Sequence, residues 1–224
     1  MHNAMQFVLS NPMPGMAEEY NEWYAGPHMD HTLQTEGVLA GQRFARREGP
    51  WPGGRHDYLT IWEMDDPAAT LAALNAVKFT STMPISPAID MMGLQPPTMW
   101  HRASVRNAAR PTAEANARPA VVLVLANAAE DRDAEFERDL MSAGLARLAD
   151  QDGVHVAHFF TLGDEQIRGN ARKYRYGMLI ELYDTAPAIE ALGPLIPGLP
   201  ELDAERWLAP VFTALGPRAT SRDE

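Results

Sequence analysis

The stretch Glu18–Phe44, EEYNEWYAGPHMDHTLQTEGVLAGQRF, decides the fold because its pattern occurs twice. Its counterpart is Ala134–Phe160, AEFERDLMSAGLARLADQDGVHVAHFF. Adding 116 carries Tyr20 to Phe136, Gly37 to Gly153, Val38 to Val154 and Phe44 to Phe160. In both copies a helical periodicity ends at a glycine and gives way to the alternation of a strand. Asn11 maps onto Asn127 in the same register, and an offset of 118 carries Tyr58 to Tyr176 and Glu63 to Glu181. The loop before the third strand therefore differs slightly in length between the copies.

Working outward, the first copy reads as a strand at Met5–Ser10, a helix from about Ala17 to Thr35, and a strand from Val38. A strand at HDYLTIWEM follows, then a helix in DDPAATLAALNAV with Asp66 as N-cap and Pro67 at its first position, then a strand at TMWHRASV. The second copy repeats this order in PAVVLVLAN, RDAEFERDLMSAGLARLAD, GVHVAHFF, YRYGMLIELYD, TAPAIEALGPL and WLAPVFTALG. Each is a βαββαβ unit of ferredoxin-like order. The expected boundaries are an N-terminal repeat over 1–105, an Ala-, Arg-, Asn- and Pro-rich linker over 106–118, a C-terminal repeat over 119–218 and a tail over 219–224. Such a unit covers one sheet face with helices and leaves the other apolar face bare. Two bare faces packed together give an α+β fold, an intrachain pseudo-dimeric barrel with its helices outside.

Composition narrows the function. The 224 residues carry a net charge of -11 and only two lysines, Lys78 and Lys173, which argues against a nucleic-acid surface. The chain has no cysteine, so it has no disulfide framework, thiolate nucleophile or cysteine metal site. No run approaches the roughly 18 apolar residues of a membrane span, and the N-terminus lacks a secretory pattern, so a cytoplasmic protein with no membrane partner is expected.

The Trp23–Tyr24 pair, His28 a few residues on, and the EGVLAGQRF turn with Gly37 resemble the dimeric α+β barrel superfamily, in particular its EthD-like members. The element order covers nearly the whole chain, whereas the motif covers the first half. The resemblance implies the barrel fold and a small-molecule site between helix and sheet. The superfamily spans cofactor-free monooxygenases, cyclases, isomerases, dehydratases, decarboxylases and heme-handling proteins, so fold alone does not choose among them. Most members assemble the barrel from two chains. Because this chain carries both halves, obligatory dimerisation is not implied, and a homodimer of whole barrels stays open.

On a helix, Tyr20, Trp23, Tyr24, Pro27, His28 and His31 fall within an arc of roughly 140°, while Glu18, Glu19, Glu22 and Asp30 lie outside it. Gly26–Pro27 predicts a kink or break. The second copy puts Asp139, Leu140, Gly144 and Arg147 where the first has Trp23, Tyr24, His28 and His31, so packing does not demand the histidines. The expected catalytic residues are therefore His28, His31, Tyr24 and Tyr20, with histidine as acid/base. Asn11 or a tyrosine would donate to an oxyanion, and Trp23, Phe44, Tyr58 and Trp62 would wall a hydrophobic, aromatic or polyketide-like substrate. A metal on His28 and His31 would need a third ligand such as His56 or His101, and neither a metal nor a cofactor is expected. The primary expectation is a cofactor-independent lyase, isomerase or cyclase. Its alternatives are cofactor-free monooxygenation of a phenol and a non-catalytic ligand-binding barrel.

Overall fold

The computed structural model describes residues 4–94, 98–108, 118–164 and 173–221. Its first half comprises β1 (Ala4–Ser10), α1 (Ala17–Trp23), a π-helical turn (Tyr24–His28), α2 (Met29–Leu33), β2 (Val38–Arg47), β3 (Tyr58–Met64), α3 (Pro67–Val77) and β4 (Thr98–Asn107). The second comprises β5 (Ala120–Ala128), α4 (Asp133–Asp139), another π-helical turn (Leu140–Gly144), α5 (Leu145–Ala149), β6 (Val154–Leu162), β7 (Tyr176–Leu182), α6 (Thr185–Leu192), β8 (Leu202–Leu208), β9 (Val211–Ala214) and β10 (Ala219–Thr220). The offset of 116 holds at every boundary from α1 to α2.

Eight antiparallel strands close a barrel, and four helical units lie outside it. The strand order is β2-β3-β1-β4 in one half and β6-β7-β5-β9 in the other, and the halves are joined by β4 against β6 and β9 against β2. The expected single closing strand is two, because Pro210 has no N–H for the ladder. β8 stays on β5, and β9 crosses to bridge β5 and β2. β4 runs two residues past 105, and Ala219–Thr220, read as tail, pair with Gly41 and Ala40. No helix among the described residues is long and apolar enough to cross a membrane.

Strand alternation sorts the side chains into three layers. Met5, Phe7 and Leu9 of β1 meet Val121, Leu123 and Leu125 of β5 inside the barrel, with Phe44 and Phe160. The intervening residues face the helices and form one outer layer per half. Gly37 and Gly153 adopt φ of +82° and +77° at the entries to β2 and β6, which a residue with a Cβ resists. At Gly37 a Cβ would also collide with Thr70 Oγ1. Asp66 caps α3 by accepting from the backbone N–H groups of Ala68 and Ala69, both at 3.0 Å, and Asp184 caps α6 by accepting from Ala186 N–H at 3.3 Å.

The helix kinks at Gly26–Pro27, as the sequence predicts: Gly26 leaves helical geometry at φ -100° and ψ -106°, and the segments on either side meet across it in the π-helical turn. The second half makes the same wide turn where Ala143 replaces Pro27, so the proline occupies a turn that the fold widens in any case.

One end of the barrel interior is polar. Arg118, which leads into β5, pairs with Glu63 of β3 and with Glu181 of β7, each at 2.7 Å. Arg218 clasps both oxygens of Glu63 at 2.8 Å. His158 Nε2 lies 3.0 Å from Glu181 and donates to it, since an ionised carboxylate only accepts. Burial raises the Glu63 carboxyl, but Arg218 and Arg118 outweigh it and hold the pKa at about 2. A carboxylate depressed below its ordinary 4.5 adds stability above pH 4.5 and loses it as pH falls toward 2, by at most about 3 kcal/mol. Removing the shared cation leaves two enclosed carboxylates with reduced compensation. Arg118→Met should therefore cost about 3 kcal/mol in a urea titration at pH 7. A loss below about 1 kcal/mol would mean that this layer does not bind the halves together.

Candidate active site

Between the β-sheet and the helices of the first half lies a cavity of about 100 Å³. Gln6 and Val8 of β1 and Trp62 of β3 form its floor, Trp23, Tyr24, His28 and Thr32 one wall, and Leu74, Lys78 and Phe79 the other. The 85–94 segment covers it with Ile85, Ile89, Met91 and Leu94. This cover is stitched to the 11–13 loop through Met13 N–H to Ala88 O at 2.7 Å and Asp90 N–H to Asn11 O at 3.0 Å. Trp23 Nε1 holds it from the helix, donating to Pro84 O at 3.3 Å.

The π-helical turn builds the aromatic wall. In a regular α-helix, residues five apart point roughly 140° away from each other. The wider turn brings Trp23 and His28 face to face, with ring centres 4.4 Å apart and planes at 22°. Tyr24 meets the same imidazole edge-on at 4.7 Å, and Trp62 does so at 6.4 Å. Behind Tyr24 the buried Arg43 guanidinium lies 4.5 Å from its ring centre, anchored on Asn21 Oδ1 at 2.9 Å.

His28 is half-buried as a residue, yet its Nδ1 is fully enclosed and makes no hydrogen bond to protein. Burial, and then the charges of Lys78 and Arg43, push its pKa down to about 3. Burial also raises Tyr24 far above an ordinary tyrosine. Both groups are therefore neutral over the physiological range. The cavity offers a free imidazole nitrogen, a protonated phenol next to it and the fields of two cations.

The other expected residues have different surroundings. Tyr20 is buried one layer behind, its hydroxyl 2.7 Å from Ser10 Oγ and its ring against Tyr24 and Tyr58. His31 is half-buried and does not line the cavity, because the widened turn changes the angular register beyond residue 24. Phe44 lies on the barrel side of the sheet, the face opposite Trp62. Tyr58 accepts from Asn21 Nδ2 at 3.1 Å and lines a separate surface cleft beside Arg46 and Asp57. The Asn11 side chain donates to Arg55 O at 3.0 Å and accepts from Asp57 N–H at 2.7 Å. Asn127 makes the same pair of bonds to Lys173 O and Arg175 N–H, so this asparagine clamps a loop in both halves. His56 Nε2 is 3.0 Å from Gly93 O, and among the described residues no three His, Asp or Glu side chains gather at metal-binding distance. Sequence reasoning missed Gln6, Thr32, Lys78 and Phe79. The readable signal was Gln6, a polar residue on the helix-facing side of an otherwise apolar strand.

The second half provides an internal comparison. At offsets of 116 and 118, Gln6, Tyr24, His28, Thr32, Trp62 and Lys78 correspond to Val122, Leu140, Gly144, Leu148, Ile180 and Ile196. All six are buried, and five belong to one hydrophobic core. The fold thus closes this layer with hydrocarbon in one half and opens it as a polar, aromatic cavity in the other.

No protein-family model matches the sequence, and no curated protein matches it. Among solved structures the chain is similar to an anthrone oxidase-like protein, with a TM-score of 0.65 and 11% identity over 99% of this chain and 94% of that one. It is similar to a candidate monooxygenase of Fusobacterium nucleatum, with a TM-score of 0.65 and 9% identity over 98% and 94%. It is also similar to a variant chlorite dismutase of Candidatus Nitrospira defluvii, with a TM-score of 0.56 and 8% identity over 94% and 90%. At such identities the likeness establishes the fold, that of the dimeric α+β barrels.

A histidine whose folded pKa is lowered binds fewer protons than the unfolded chain between its folded value of about 3 and its ordinary 6.5. Stability therefore falls as pH falls through that window, by about 1 kcal/mol per pH unit for a half-buried group. His28→Gln should lose about 1 kcal/mol less than the wild type between pH 6.5 and pH 5 in urea denaturation. Parallel losses would place His28 in contact with water.

Proposed function

We propose that the first-half cavity is the active site of a cofactor-independent enzyme that moves a proton at His28 of a hydrophobic, aromatic or polyketide-like small molecule. The single observation that carries this reading is that apolar residues which fill these positions in the second half give way to a ring-lined cavity with an enclosed, unpaired imidazole nitrogen. The Trp23, Tyr24 and His28 side chains behind the EthD-like resemblance all line that cavity.

A base held at a pKa of about 3 does not take a proton from a weak acid unless the anion left behind is stabilised in the same step. Lys78 and Arg43, which disfavour the imidazolium when the cavity is empty, favour an enolate or phenolate placed there. The new anion would in turn favour the imidazolium, so the proton moves together with formation of the ion pair. Tyr24 keeps its hydrogen and serves as a neutral donor, and Trp23 and Trp62 supply flat apolar walls. Lyase, isomerase and cyclase chemistry all begin with such an anion.

Cofactor-free oxygenation is the second reading, favoured by the names of the proteins with similar folds. It starts from the same anion, and one O2 converting a ring CH2 to C=O with water as the other product balances without an added reductant. The test is a panel of anthrones, naphthols and aromatic 1,3-diketones, assayed for product and for oxygen uptake. For any compound turned over, His28→Ala should lower kcat/KM by about 100-fold or more and Tyr24→Phe by about tenfold, with binding retained. Oxygen uptake equal to product selects oxygenation. An unaltered rate in His28→Ala sinks the proton-transfer assignment, and binding without any turnover selects the non-catalytic barrel.

A further inference from the structure

Phe79 sits where the chain leaves α3, at the mouth of the cavity, in a conformation that phenylalanine avoids. Thr80 N–H bonds to Val77 O at 3.3 Å, closing a four-residue turn over Val77–Thr80. Lys78 has φ -59° and ψ 139°, and Phe79 has φ +62°. This is the geometry of a type II turn, whose third position calls for glycine or asparagine. A bulky side chain there brings its Cβ against backbone oxygen. The ring gains no compensating core packing, because Phe79 is 63% exposed.

The second half again provides a comparison. At the offset of 118 Val77–Thr80 corresponds to Leu195–Gly198, and there the turn closes one residue later, with Leu199 N–H to Ile196 O at 3.3 Å, Pro197 and Gly198 at its centre and no positive φ. The fold therefore does not impose the strain. Neither turn chemistry nor burial accounts for a phenylalanine at this point, whereas its place on the cavity wall does. Strained residues without a packing reason concentrate at ligand clamps.

Size points the same way. A cavity volume of about 100 Å³, against the roughly 150 Å³ of an apolar cavity that takes benzene, is space for about one small ring. Any flat ligand with more than one ring must extend outward, and the apolar surface it meets there is the Phe79 ring.

We infer that Phe79 is a specificity-determining gate residue, which stacks on the outer ring of a flat, multi-ring ligand whose inner ring occupies the cavity beside His28. The inference rests on the reading of the cavity as a ligand site. Binding of such a ligand buries the exposed ring and offsets the strain of the turn.

The test titrates phenol and 2-naphthol into the intact protein and follows quenching of tryptophan fluorescence, since Trp23 and Trp62 line the cavity. Phe79→Asn and Phe79→Gly relieve the turn, so neither should lower the urea midpoint. Both variants should weaken 2-naphthol by about tenfold, which corresponds to about 1.4 kcal/mol, and change phenol less than about twofold. If both probes bind and the variants weaken them equally or not at all, the gate is overturned while the cavity stands as a ligand site. A falling urea midpoint with unchanged binding makes Phe79 a packing residue and also overturns it. If neither probe quenches tryptophan in the wild type, the ligand site fails and the gate fails with it.

Discussion

The bare face of each four-stranded sheet is the constraint on which this molecule depends. Helices cover one side of β1, β2, β3 and β4, and the other side presents Met5, Phe7, Leu9, Phe44, Leu59 and Ile61. Only another sheet of the same curvature can cover such a surface. The second repeat supplies it, with Val121, Leu123, Leu125, Phe160 and Leu179. Closure also gives all four sheet edges a partner, through β4 on β6 and β9 on β2. The Arg118 bridge between Glu63 and Glu181 then sets the pairing of the halves at the polar end, because a shifted register would strand both carboxylates.

Carrying both halves on one chain frees each from the demands on the other. In a barrel made from two identical chains, any residue placed in one interlayer appears in both. Here the second half spends its interlayer on hydrocarbon, with Val122, Val124, Leu140, Leu148, Ile180 and Leu192, which supports the fold. The first half can then tolerate Gln6, Thr32 and a buried imidazole, whose polar atoms weaken a core. The division of labour shows at single positions: His28 becomes Gly144, where an added Cβ would lie 3.1 Å from Leu140 Cδ2 and 3.2 Å from Asp139 O.

Much of this was legible in the sequence, for reasons that residues make plain. The repeat was visible because glycine is required at Gly37 and Gly153 and because the clamp asparagines and barrel glutamates recur at fixed offsets. The Trp23, Tyr24, His28 and Trp62 grouping was legible because helical spacing and strand alternation each report a face. Phe44 was misplaced because both faces of this sheet are buried, so apolar character no longer tells which way a strand residue points. Asn11 was misread because a clamp and an oxyanion donor require the same amide, and only the bonds to Arg55 and Asp57 distinguish them. Lys78 and Phe79 were missed because they follow a helix end, where no periodicity marks direction.

The π-helical turn shows how structural necessity becomes chemical opportunity. Its recurrence at Leu140–Gly144, with neither proline nor histidine, makes it a property of how this helix wraps the barrel. Once the turn exists, residues five apart share a face, which a regular helix forbids, and the inherited geometry presents a site for a stacked pair. In the second half that site holds Asp139 and Gly144, which cannot stack. In the first it holds Trp23 and His28, and the stack fixes the imidazole plane, turns one nitrogen into an enclosure and shields it from water. Holding the ring by its face leaves Nδ1 without a protein partner, so the turn that the fold supplies for packing is also what leaves this nitrogen enclosed and unpaired.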